Sequence, residues 1–304
     1  MNRDDRINRL PLGSLVTGLT FAAVVFVTSP GQANTFGTMY ISTDTTLTEN
    51  HDGDVVITTD NVTLDCGGRS IFGNRPVGIR LENRTNVTVR NCQVSGFVRG
   101  FLILNSVRNV LLGNTANHNQ FGFALAGASS NHLDGNTANN NEFAGFAPGL
   151  SVGNTFSGNT ANLNGRNGFE IHLSSNANVF VENTANNNGA AGFGVGSSSN
   201  NRFVANTANG NENGFGLSQS NDNVLEDNTA IRNSIAGFSL GESSNNTLAG
   251  NRAKNNAVGF YFVSSSFNVV ESNNGTPNVD IDAYLSGGAG NVFSDNKFTT
   301  TDGI

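Results

Sequence analysis

Glu170 and His172 are the residues best placed for acid–base chemistry, standing two apart in the segment Phe169-Glu170-Ile171-His172. Residues two apart on a strand share a face, so Phe169 and Ile171 point inward while the carboxyl and imidazole point outward together. Arg166 lies nearby, and the matching outward residues in the flanking segments are small: Ala147 and Gly149 before, Gly194 and Gly196 after. On a surface that flat the three form a candidate binding or proton-transfer site. The alternative is an ordinary solvated Glu and His, since charged side chains are mostly exposed.

Other chemistries lack their residues. Asp134, Asp227 and Asp295 occupy related turn positions far apart along the chain, and Glu142, Glu182, Glu212 and Glu226 are scattered near turns. No two carboxyls are thus placed to flank one glycosidic bond. His51, His118, His132 and His172 fall at different offsets, and Met1 and Met39 are the only methionines, so no metal centre and no cofactor is expected. Cys66 and Cys92 lack CxxC or Cys/His spacing; they read as one possible disulfide or as two buried small hydrophobes.

A regular polar pattern offers a second candidate. Thr115/Asn117, Thr137/Asn139, Thr160/Asn162, Thr184/Asn186 and Thr207/Asn209 form two outward columns, fading at Thr229/Ile231. Spaced by the separation of strands, they make a lattice able to bind a repetitive partner such as a polysaccharide or ice. The plainer reading is that Thr forms strands well and Asn solvates its face. The outward Gly, Ala and Ser of another segment (Ala124, Ala126, Gly194, Gly196, Gly216, Ser218, Ser239, Gly241) make a smooth face that suits a partner, a second copy, or solubility alone.

These residues are positioned by a repeat. Copies start at Asn109 (NVLLGNTA), Asn131, Asn154, Asn178, Asn201, Asn223 and Asn246, with weaker ones at Asn61, Asn86, Asn268 and Asn291, spaced 22 to 25 residues apart. A Gly-Phe pair follows 13 or 14 residues after each start, from Gly100-Phe101 to Gly259-Phe260, and period-two alternation surrounds it. The units are therefore short strands and turns. None can bury its apolar side alone, so the copies must stack as parallel strands. Eleven coils at about 4.8 Å each predict a rod on the order of 50 Å long. Leu111, Leu133, Phe156, Phe180, Phe203, Leu225 and Leu248 should form one internal column, the Gly-Phe aromatics a second, and Ala116 to Ala230 a third. The sixth-position Asn (Asn114 to Asn251) is expected at a turn, bonding its counterpart in the next coil and tolerating left-handed backbone.

The Asn-x-apolar-x-x-Asn-x-apolar pattern followed by Gly-aromatic, with the entry stretch Asp54-Val55-Val56-Ile57 and Asn61-Val62-Thr63-Leu64-Asp65-Cys66, resembles the NosD-like, pectin-lyase-like family of right-handed parallel β-helices over roughly residues 38 to 298. The resemblance implies an all-β, single-stranded solenoid, but that architecture hosts lyases, hydrolases, epimerases, binding proteins and rods alike. A copper role suggested by the NosD resemblance finds no matching donors.

Net charge −7 argues against nucleic-acid binding, and 22 Phe argue against disorder despite 51 Asn. Residues 1–33 read as a cleavable signal peptide: Arg3, Arg6 and Arg9, the apolar stretch Leu15 to Val27, and small residues before a cut after Ala33. The expected organisation is a cap and first partial coil over 34–60, the β-helix over 61–298 and a polar tail over 299–304, with no membrane span in the mature chain. The expected function is a secreted or periplasmic carbohydrate-binding or interaction module. A polysaccharide lyase or epimerase near Glu170 and His172, or a purely structural rod, are the alternatives; oligomeric state is left open.

Overall fold

All strand pairings in the computed structural model, which describes residues 34–304, are parallel, and no helix occurs among these residues. The expected signal segment lies outside the described residues. The chain winds as a right-handed β-solenoid with three strand faces per coil. One face is a twelve-stranded sheet from Thr45–Thr46 to Val292–Ser294. A second carries the Gly-Phe strands, from Val77–Glu82 to Ile281–Ser286. The third is a narrow ribbon of Asn-Thr-Ala residues joined by the bridges Thr115–Thr137, Thr137–Thr160, Thr160–Thr184 and Thr184–Thr207. The twelfth rung, Thr45–Thr46, carries no Asn-x-apolar motif, which is why the repeat alone predicts eleven.

In-register stacking turns the repeat into columns. Phe101, Phe123, Phe146, Phe169, Phe193, Phe215, Phe238 and Phe260 stack face to face at 4.4–5.0 Å. Phe156, Phe180 and Phe203 form a second stack at 4.7 and 4.8 Å that meets the first edge-on. Offset-parallel stacks and edge contacts are the geometries ring quadrupoles favour. The glycine before each Phe is a packing requirement: a Cβ on Gly122 would lie 2.5 Å from the Gly145 carbonyl oxygen and 2.9 Å from the Ala138 Cβ.

Asparagine ladders line the turns. Asn159 donates its backbone N–H (2.9 Å) and Nδ2 (3.0 Å) to Asn183 Oδ1, and Nδ2 also reaches back to the Leu133 carbonyl at 2.9 Å. The same pattern recurs in a column from Asn109 to Asn291 and in another from Asn119 to Asn278. A serine column from Ser151 to Ser265 adds a fourth line. Each ladder amide thereby finds partners, as burial of polar groups demands; among the described residues the buried side-chain oxygen left without one is Asn213 Oδ1, off the ladders. Left-handed backbone falls one residue before the sixth-position Asn, at Gly113, Gly135, Gly158, Glu182 and Ala205. The Asn itself remains in the right-handed half of backbone space because its amide must point inward.

The two ends are finished differently. Near the N-terminal end, His51 is 1% exposed; its Nε2–H donates to the Asp54 carbonyl (3.2 Å), and its Nδ1 shares a hydrogen bond with the Thr35 hydroxyl (2.7 Å). Cys66 and Cys92 form a buried disulfide joining the first two full coils. At the C-terminal end Asp282 takes the Gly position of the Gly-Phe pair and is 2% exposed. Its carboxylate accepts the N–H groups of Asn278 (3.0 Å), Thr299 (2.7 Å) and Thr300 (3.1 Å). Burial pushes this carboxyl up, but the donors of Thr299, Thr300 and Asn278 outweigh it and hold it below the usual range.

Candidate functional site

The outer side of the Gly-Phe sheet is the candidate surface. Its central column reads Ala124, Ala147, Glu170, Gly194, Gly216, Ser239 and Tyr261 through successive strand pairs. A parallel column two residues on includes Gly149, His172, Gly196, Ser218 and Gly241. Six inter-strand steps from Ala124 to Tyr261 span about 29 Å at about 4.8 Å each. Aromatic pairs bracket this floor: Phe121–Phe143 at one end and the stacked Tyr261–Tyr284 at the other, each with ring centroids 5.3 Å apart.

Several floor glycines have no packing reason. Nothing lies within 4 Å of the position a Cβ would take on Gly196 or Gly241, and Gly216 would meet only the Asn213 Cβ, at 3.8 Å. None has a left-handed φ. Glycine in a strand costs about 0.5–1 kcal/mol relative to Ala. Where neither contact nor backbone geometry requires it, its remaining effect is to let another body lie close to the main chain.

Glu170 and His172 stand mid-floor, half-buried. The imidazole lies over bare backbone, its Nε2 3.1 Å from the position of a Gly149 Cβ, and the Asn167 amide similarly covers Gly194. His172 Nδ1–H donates to the Glu170 carbonyl at 3.3 Å. No hydrogen bond or ion pair joins the Glu170 carboxylate to His172, Arg166 or any other described residue, and Arg166 is exposed. Their strand is cut to Phe169–Ile171, and Leu173 and Ser174 both take left-handed φ (55° and 58°). The neighbouring coils spend one such residue at this turn, Leu150 and Ser197. Bulges of this kind re-aim a side chain.

The Thr/Asn columns are in register, but the asparagines are already committed. Asn117 Oδ1 accepts the Asn139 N–H, Asn139 that of Asn162, Asn162 that of Asn186, Asn186 that of Asn209, and Asn209 that of Ile231, at 2.7–2.8 Å. They therefore splice coils together. The two aromatic pairs escaped the sequence reading: Tyr261 is visible as the outward residue between Phe260 and Phe262, whereas Phe143 precedes its Gly-Phe landmark by two residues.

Residues 53–208 match the pattern of the family described as right handed beta helix region. The chain belongs to that family. This β-helix also matches, over residues 164–302, the family described as periplasmic copper-binding protein (NosD). Its donors do not fit copper: among the described residues no three His, Cys, Asp or Glu converge, both cysteines are in a disulfide, and Met39 is the one methionine. Similar solved structures include the Dettilon tailspike protein gp208 (16% identity, TM-score 0.59, 86% of this chain and 62% of that one). The mannuronan C-5 epimerase AlgE6 A-module of Azotobacter vinelandii shows 15% identity and a TM-score of 0.60, over 90% of this β-helix and 92% of the module. The periplasmic alginate epimerase AlgG shows 14% identity and a TM-score of 0.59, over 84% and 76%. This β-helix thus spans less than two thirds of the tailspike, and at these identities the likeness is one of fold. No curated protein matches the chain.

Proposed function

We propose that the protein is an exported, non-enzymatic module that binds an extended glycan along the outer Gly-Phe sheet. The observation that carries this reading is the row of glycines without a packing reason, open to solvent between two outward aromatic pairs. A sugar chain has apolar C–H faces that stack on aromatic rings and hydroxyl edges that reach Asn167, Ser218 and Ser239 from a floor low enough to approach. The epimerases of the same fold, named for mannuronan and alginate, act on polysaccharides, which supports the ligand class. Export rests on residues 1–33 and on the periplasmic proteins among the matches; N-terminal sequencing of the exported chain should begin at Asn34.

A polysaccharide panel tests the site. Gly196→Gln and Gly241→Gln should abolish retention without lowering the unfolding midpoint, and Tyr261→Ala should weaken it about tenfold. Thr137→Lys, Thr160→Lys and Thr184→Lys should leave binding intact; weakening in proportion to these changes would move the site to the Thr/Asn face. Turnover of a bound glycan, lost in Glu170→Ala and His172→Ala, would make the protein a lyase or epimerase instead. Silence toward every glycan would leave a structural rod.

A further inference from the structure

The charge pattern of this face points to an amine-bearing polysaccharide, a glucosamine-type polymer, as the ligand, and we infer that Glu170 is its selecting residue. The inference rests on the glycan reading above and narrows it. Between Ala124 and Tyr261 the two floor columns carry one carboxylate, Glu170, without a partner among the described residues, and no Lys or Arg; exposed Arg166 stands outside them, in the row of Phe143. The molecule's basic residues are concentrated elsewhere: seven Arg against one acid lie between residues 69 and 108. Four of these, Arg75, Arg80, Arg84 and Arg90, are ion-paired to Asp54, Glu82, Asp60 and Asp65. From residue 109 onward fourteen Asp and Glu face six Lys and Arg.

A polyuronate laid on this floor would bring its carboxylates onto Glu170 with no Lys or Arg in either column to balance them, and like charges brought together across an interface oppose binding. An ammonium group meets the opposite situation. It would approach down a field set by the acidic coils and reach a carboxylate that has no competing protein partner to displace. The small neighbours make that approach possible: the bare backbone at Gly194 and Gly196 lets a sugar ring lie beside Glu170 without climbing over side chains. The bulge at Leu173-Ser174 holds this coil's outer edge in a shape the adjacent coils do not share. The ligand class thus differs from the uronate polymers named for the two epimerases.

Calorimetric titration of the full chain at pH 5.5, where the glucosamine amine is charged, separates the possibilities. The probes are a glucosamine oligomer, an alginate oligomer and a neutral glucan oligomer. The glucosamine oligomer should bind about tenfold more tightly than the glucan, with the difference shrinking as salt rises, and alginate should not bind. Glu170→Gln should bring the ratio of glucosamine to glucan affinity down to about one, leaving the unfolding midpoint unchanged. Equal affinity for glucosamine and glucan oligomers, alginate binding, or an unaltered preference in Glu170→Gln would overturn the inference while sparing the glycan reading. Absence of binding to all three would overturn both.

Discussion

At the scale of single residues, two kinds of glycine occupy neighbouring rows of one sheet and do opposite things. Gly122 is confined between a carbonyl oxygen and an Ala methyl, so Gly122→Ala must push the coils apart. Gly196 and Gly241 face open space. Chemical denaturation should show Gly122→Ala destabilised by about 1–3 kcal/mol, as overpacking costs. Gly196→Ala and Gly241→Ala should each gain about 0.5–1 kcal/mol. A loss in the latter two would show that these positions serve the fold. Buried asparagine gives a second contrast. Asn183→Ala removes the acceptor of two Asn159 donors and the amide that satisfies the Phe156 carbonyl, so a loss of about 1–3 kcal/mol is expected in the same measurement. The sequence showed both glycine rows equally well; only the space around each Cβ separates them.

At the scale of strands and coils, the repeat was readable because parallel in-register stacking puts like residues at like positions. Leu111 to Leu248 and the Gly-Phe aromatics could therefore be assigned to columns before any coordinate was known. What escaped were features the period does not carry. The rung Thr45–Thr46 has no motif, and the serine ladder hides among many surface serines. Asp282 acts through Thr299 and Thr300, 17 and 18 residues further on. Because each coil contacts chiefly its neighbours, damage should remain local. Phe169→Ala should cost about 3–5 kcal/mol. Amide exchange should accelerate first in the strands around Phe146 and Phe193, with the coils before Leu104 protected as before. Uniform acceleration would instead mean that the solenoid opens as one unit.

At the scale of the whole molecule, acid sensitivity should concentrate at the C-terminal end. Asp282 is held below its ordinary value near about 3.9, so its contribution is fully present above that pH. It is lost as pH falls through the lower folded value. Thermal melts of the parent chain should therefore drop more steeply below about pH 4 than those of Asp282→Asn, whose side chain has no charge to lose. Matching acid profiles would remove Asp282 from this role. The ladders also give the rod an arrow. In the three buried ladders the backbone N–H of each Asn finds its acceptor in the coil that follows in sequence, whereas the half-buried Asn117–Asn209 column donates to the coil before. A chain emerging N-terminus first from a ribosome or a translocation pore always has one unfinished coil, its donors waiting for residues not yet delivered. Completion comes only when Thr299 and Thr300 arrive at Asp282. A chain stopped after Asn273 should stay at that growing stage and self-associate, which light scattering would register, whereas the chain reaching Ile304 should not.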